Sequence, residues 1–292
     1  MPDLRAWLQL VRLPAVFTAM ADIFLGFLLV RQGFEPAGAF AALLAASSCL
    51  YLAGMLFNDV FDRQEDARLR PERPIPSGRV SLRVAVAVGC GLVAGGLAAA
   101  ALAGSNALFV AAGLTACVFA YDGGAKRTPW GPAVMGACRF LNVLLGASLA
   151  TPFPVLAPLL ALGLGVYVAG VTWFARHEAE RSRSGQLAAA AAVVNAGIIV
   201  LVAVVLAKGG AANARQALLL VVIAASIDLR LFAAIGEPSP RRVQSAVRTM
   251  LLSLVMLDAT LVWFVTGDPL YATLTAALVA PSLAIGRFMA MT

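Results

Sequence analysis

Ten apolar stretches, each close to the roughly 20 residues that cross a bilayer as a helix, dominate this chain and restrict what it can fold into. They cover approximately residues 14–30, 38–57, 82–103, 106–121, 132–150, 154–175, 187–207, 214–235, 245–266 and 269–290. Ala, Leu, Val and Gly fill most of each stretch and no alternation of period two appears, so helices are expected and a β-barrel is not. A soluble chain of 292 residues, 61% hydrophobic and 13% charged, would lack the polar surface to cover its core. Arg5 and Arg12 precede the first stretch as they would a signal peptide, but the run is long and similar runs follow it, which reads as a retained span. The 26 glycines suit close approach of helices in lipid, and prolines fall within 154–175 and 269–290. The expectation is an all-α, polytopic transmembrane helical bundle, formed as one domain over residues 1–292.

Orientation follows from the basic residues. Of the 22 Lys and Arg, a ten-span arrangement puts 17 on one side and only Arg31, Lys208 and Arg215 on the other, with Arg139 and Arg230 inside spans. The side richer in basic residues is expected in the cytoplasm, together with both termini, for a protein of the cell's inner (plasma) membrane. The net charge of +7 then needs no nucleic-acid partner. Cys49, Cys90, Cys117 and Cys138 lie in apolar stretches without CxxC spacing and read as small hydrophobes. His177 is the single histidine, which excludes a zinc site built on histidines.

Three charged loops fall on the basic side: 58–81, 121–131 and 176–186. In the first, Asp59, Asp62 and Asp66 are spaced i, i+3, i+7, which confines them to an arc of about 60° on a helix. Like charges at that spacing repel, so helix stability alone does not favour them. Two readings account for them. Oxygen-only ligands without nearby Cys or His suit a hard ion such as Mg²⁺, with Arg63, Arg70 and Arg73 beside them as donors for phosphate oxygens. The other is a solvated juxtamembrane helix with i, i+4 ion pairs, Asp59 with Arg63 and Asp66 with Arg70. Spacing leaves both open.

The stretch "NDVFDRQEDARLRPERPIPSGRVS" resembles the first aspartate-rich motif of the UbiA superfamily of intramembrane prenyltransferases. That motif reads N-D-x-x-D-x-x-x-D followed by R-P-x-x-S-G, here Asn58, Asp59, Asp62 and Asp66, then Arg73, Pro74, Ser77 and Gly78. "VRLPAVF" (Arg12, Pro14) resembles the start of the family's first helix. "YDGGAKRTPWG" (Tyr121, Lys126, Arg127) and "GACRFLNVLLG" (Arg139, Asn142) resemble later elements, so the likeness covers roughly the first 150 residues. The resemblance implies a bundle of nine to ten spans and transfer of a prenyl group from a polyprenyl diphosphate to an aromatic or lipophilic acceptor within the membrane lipid. It implies Mg²⁺ on Asp59, Asp62 and Asp66, and a catalytic set of Asp59, Asp62, Lys126 and Arg139. Asn58, Arg12, Arg73, Tyr121, Arg127 and Asn142 are implied as substrate-binding. A membrane setting suits that chemistry: the isoprenoid tail needs lipid, its diphosphate needs the wet edge, and an allylic cation needs protection from water.

The second aspartate loop of the family, D-x-x-x-D, has no intact counterpart. In "WFARHEAERSRSGQL", Thr172, Ala175 and Ala179 fall opposite Asp59, Asp62 and Asp66. Glu178 or Glu180 could hold a second Mg²⁺, arginines could neutralise phosphate instead, or donor activation could be impaired. His177, Glu178 and Arg181 are therefore included as substrate-binding residues of this loop. The departure resembles a divergent branch of the superfamily, the EboC-like group. Asp22, Arg139, Asp228, Arg230 and Asp258 lie inside apolar stretches, where an ionisable group is expensive and so marks a site. The competing reading is a non-catalytic isoprenoid-binding scaffold, or a transporter, that retains the first motif.

Overall fold

A computed structural model describes residues 4–176 and 183–286 of the chain. His177, Glu178 and Arg181 lie outside the described residues. Among the described residues all regular structure is helical, with no strand. The helices are α1 (Leu4–Leu10), α2 (Val16–Arg31), α3 (Ala37–Leu69), α4 (Leu82–Ala103), α5 (Ser105–Gly123) and α6 (Gly131–Gly146), followed by α7 (Leu156–Ala175), α8 (Ser184–Gly209), α9 (Ala214–Gly236), α10 (Pro240–Thr266), α11 (Pro269–Ala276) and α12 (Val279–Gly286). Eight of the described segments are long and apolar enough to cross a membrane, and two shorter apolar ones, Gly131–Gly146 and Pro269–Ile285, bring the total to the ten stretches read from sequence. The chain is an integral membrane protein.

The final stretch is split. Pro281 stands in the first turn of α12, where its missing N–H costs little, and the chain turns just before it at Ala277–Leu278. The two halves touch opposite ends of α2. Tyr271 of α11 packs edge-on to Phe34 beyond the C-terminal end of α2, with ring centroids 5.2 Å apart, while α12 lies against the 3₁₀ turn Leu13–Ala15 before its start. A broken helix therefore runs the length of α2.

From α2 to α10 each helix packs on its successor, and α10 closes the ring against α2. Inside the ring α2 also meets α6, and α10 meets α7. Because successive helices alternate in direction, the end of α3, the α5–α6 connection and the end of α7 gather at one end of the bundle. α3 is the longest element, at 33 residues or about 50 Å. Its apolar part ends near Phe57, but no breaker follows until Arg70 precedes Pro71 and leaves helical geometry. The helix thus carries its aspartates past the apolar layer.

Contact between α2 and α6 depends on two glycines. A Cβ on Gly26 would lie 2.3 Å from the Val143 carbonyl oxygen, and one on Gly146 would lie 2.9 Å from that of Ile23. Backbone cannot yield there as a side-chain tip can. Gly26→Leu is expected to cost about 1–3 kcal/mol by overpacking. In detergent that reads as a drop in unfolding temperature of about 2–4 °C per kcal/mol.

Candidate functional site

A cavity of about 580 Å³ lies between α2, α3, α5, α6, α7 and α10. Its lining follows the helices from charged to apolar to polar. Along α3 it runs from Asn58 to Ser47, and along α6 from Gly131 to Asn142. Each is a separation of eleven residues, or about 16 Å of helix. The mouth is therefore charged, the waist is formed by side chains such as Leu50, Leu114, Val118, Met135, Val171 and Leu254, and the floor is polar again.

At the mouth, Asp62 is gripped from two sides. Lys126 Nζ donates to its Oδ2 at 2.8 Å and Arg127 Nη2 to its Oδ1 at 3.2 Å, while the same Arg127 nitrogen donates to Glu65 Oε2 at 3.3 Å. Asn58 Nδ2 donates to Asp122 Oδ1 at 2.7 Å, and Lys126 Nζ stands 3.7 Å from that oxygen. The short 3₁₀ turn Ala125–Arg127 sets both bases over the end of α3. Arg176, just past α7, donates to the backbone carbonyls of Thr128 and Lys126 and so ties α7 to this turn. Tyr121 lines the same region.

Asp59 and Asp66 have a different partner. Arg73 Nη1 donates to Asp59 Oδ1 at 3.2 Å and to Asp66 Oδ2 at 2.8 Å, and Arg12 Nη2 lies 3.9 Å from Asp59 Oδ1. The R-P-x-x-S-G run explains how Arg73 is fixed. Ser77 donates to the Arg73 carbonyl through both its N–H (3.0 Å) and its Oγ (2.7 Å), and Gly78 follows at φ +74°, a left-handed position that suits glycine. The partners of Asp59 and Asp66 are thus Arg12 and Arg73, not the i+4 arginines Arg63 and Arg70 of the solvated-helix reading. Of the three aspartates in the stripe, Asp62 lines the cavity. Among the described residues, no three Asp, Glu, His or Cys side chains gather on one point.

The floor is held by a carboxylate from the far side. Asp22 of α2 accepts from Asn142 Nδ2 at 2.7 Å, and its Oδ1 lies 3.0 Å from Arg139 Nε, a close ion pair whose alignment falls short of a hydrogen bond. Arg139 also donates to the Thr18 carbonyl at 2.8 Å and Asn142 to that of Ala19 at 2.9 Å, while Ser47 donates to Asn142 Oδ1 at 2.7 Å. Asp258 of α10 is buried beside Asp22. The other intramembrane acid, Asp228, accepts from Asn195 Nδ2 at 2.8 Å on the neighbouring helix, away from the cavity.

The structure therefore brings Asn58, Asp62, Arg12, Tyr121, Lys126 and Arg127 to the mouth and Arg139 and Asn142 to the floor. Asp59, Asp66 and Arg73 form an adjoining cluster. Sequence reasoning missed Asp122, Glu65 and the pairing of Asp22 with Arg139. For Asp122 a signal existed, since it stands four residues before Lys126 and ends an apolar helix.

A polar mouth over an apolar chamber, on the aspartate motif of α3, is the arrangement expected of an intramembrane prenyltransferase, and a family model decides the matter. The model of the UbiA prenyltransferase family matches residues 19–239. The chain belongs to the UbiA prenyltransferase family. It is 32% identical over 148 residues to the digeranylgeranylglyceryl phosphate synthase of Methanopyrus kandleri, a match covering 49% of this chain and 54% of that protein. The chain spans about half the length of the curated relatives it matches. A solved digeranylgeranylglyceryl phosphate synthase has the same fold, with TM-score 0.69 at 17% identity over 92% of this chain and 100% of that one. So does a UbiA homologue from Archaeoglobus fulgidus bound to GPP and Mg²⁺, with TM-score 0.62 at 16% identity over 93% and 99%. The UbiA fold thus extends across the second half of the chain, where its sequence motifs fade.

Proposed function

We propose that this UbiA-family chain is an Mg²⁺-dependent prenyltransferase that moves a prenyl group from an isoprenoid diphosphate to a lipid-type acceptor inside the membrane. One observation carries the reading: a single cavity joins a mouth of paired carboxylates and cations to an apolar chamber. A diphosphate fits the first and a prenyl chain the second. Naming of the relatives as digeranylgeranylglyceryl phosphate synthases, and the GPP bound by the Archaeoglobus homologue, support the donor class and a glyceryl-phosphate lipid as acceptor. We place the protein in the inner (plasma) membrane as one catalytic domain, with the mouth on the cytoplasmic side by the distribution of its basic residues.

The donor set at the mouth fits Mg²⁺. Asn58, Asp62, Glu65 and Asp122 offer oxygen ligands to the cavity, and Mg²⁺ typically takes one or two carboxylates together with substrate phosphates and water. Asp62 would hold the ion with Asn58 and Asp122 beside it. Asp59 and Asp66 complete the stripe and keep Arg12 and Arg73 within reach of phosphate oxygens. When bound, Mg²⁺ supplies Lewis-acid stabilisation of the departing diphosphate. Lys126 and Arg127 add fixed positive charge where negative charge builds as the donor's C1–O bond breaks and its electron pair leaves. The Tyr121 ring faces the allylic cation, which an aromatic face stabilises. The apolar waist keeps water from the cation until the acceptor's nucleophile bonds to C1 and gives up its proton. Arg139 and Asn142 bound the depth available to the substrates.

The test is product analysis with the protein in lipid nanodiscs, geranylgeranyl diphosphate and Mg²⁺. A glyceryl-phosphate lipid bearing one prenyl chain is expected to be prenylated, with a hydroxybenzoate acceptor much poorer. Reversal of that preference would contradict the lipid-type acceptor.

A further inference from the structure

Charges facing the mouth do not balance. Arg12, Arg70, Lys126, Arg127 and Arg176 stand there against Asp62, Glu65 and Asp122, a surplus of two positive charges. Arg139 at the floor does not add to it, because Asp22 matches that charge. The surplus is also unevenly placed. Lys126 and Arg127 are engaged by the carboxylates of α3 and α5. Arg176, on the α7 wall, bonds to the neutral carbonyls of Lys126 and Thr128 and keeps its full charge. Its neighbours on that wall are Thr172 and Ala175, a hydroxyl and a methyl. The described part of the α7 wall thus presents a fixed cation and no carboxylate.

We propose that Arg176 binds the donor's diphosphate opposite Asp62, and that this chain holds its donor with one divalent ion, not two. This rests on the prenyl diphosphate reading above and concerns how that same site is built. A prenyl diphosphate brings about three negative charges at neutral pH. With one divalent ion the surplus at the mouth becomes four, close to what the diphosphate neutralises. A second ion would raise it to six, in a partly buried site where unmatched charge is expensive. A second ion would also need carboxylates of its own, whereas the described acids at the mouth are Asp62, Glu65 and Asp122, all on the α3–α5 side. A guanidinium gives the phosphate oxygens planar, charge-assisted donors without any metal.

The experiment counts ions. Mn²⁺ replaces Mg²⁺ in the detergent-solubilised full chain, and bound Mn²⁺ is measured by electron paramagnetic resonance with and without the thiolo analogue of geranylgeranyl diphosphate, which is not cleaved. One Mn²⁺ per chain is expected, taken up only with the analogue. Arg176→Ala is expected to weaken the analogue and inorganic pyrophosphate alike by about 10- to 100-fold, the scale of one charged hydrogen bond. Two Mn²⁺ per wild-type chain would overturn the proposal, and the count holds even if the variant fails to fold. Unchanged affinity in Arg176→Ala would overturn the role of that residue. Absence of analogue binding with or without metal would instead overturn the prenyl diphosphate reading itself.

Discussion

Asp62→Ala is expected to lower pyrophosphate release from geranylgeranyl diphosphate by roughly 100- to 1,000-fold, the scale of losing one preorganised charge-stabilising group. Asp62 is the aspartate of the stripe that lines the cavity, and both of its oxygens are held by cations, Lys126 at 2.8 Å and Arg127 at 3.2 Å. Its removal takes away the proposed metal ligand and frees the two bases together. Its side chain is 21% exposed, so the fold should tolerate the change. Unfolding temperature within a degree or two of wild type would separate lost chemistry from lost structure. Asp59→Ala is expected to abolish release as well, by a different route. Asp59 is nearly buried between Arg12 and Arg73, and its loss leaves Arg73 with Asp66 alone. Here stability should fall too.

Arg139→Met is expected to destabilise the bundle by about 3–5 kcal/mol, the usual result of removing one partner of a buried ion pair. Asp22 is fully buried and lies against a second buried acid, Asp258, so the guanidinium is the positive charge that makes the pair tolerable in the membrane interior. Asp22→Asn in the same chain should restore part of the loss, because the uncompensated charge disappears. A double-mutant cycle on thermal unfolding measures that coupling. Equal and additive losses from the two single changes would show that Asp22 and Arg139 do not act together.

Much of the fold was legible because lipid imposes one strong rule, that a span is a long apolar helix. That rule found ten stretches, and it also explains what it could not resolve. Length alone gives no sign that α3 continues twelve residues beyond its apolar part to Leu69, since the reason is a missing breaker before Pro71. Nor does it show that 269–290 is broken, which depends on Pro281 and on packing along α2. The candidate site was legible where its residues sit close together in one motif, as Asn58 to Arg73 do. Its cross-helix partners were not. Asp22 and Arg139 are 117 positions apart in the chain, and nothing local in either stretch announces that Gly26 and Gly146 bring their helices together. Taken singly, Asp22, Arg139 and Asp258 were three unexplained charges. Together they form the floor of the cavity and its support.

The central claim is tested most directly by following pyrophosphate release from geranylgeranyl diphosphate by the wild-type chain and by Asp62→Asn, in one detergent, with a glyceryl-phosphate lipid as acceptor. Release should require Mg²⁺, stop on chelation, and fall at least about 100-fold in the isosteric variant, which keeps the volume of Asp62 but not its charge. Equal release by both proteins, or donor binding by the wild type without any cleavage, would contradict it.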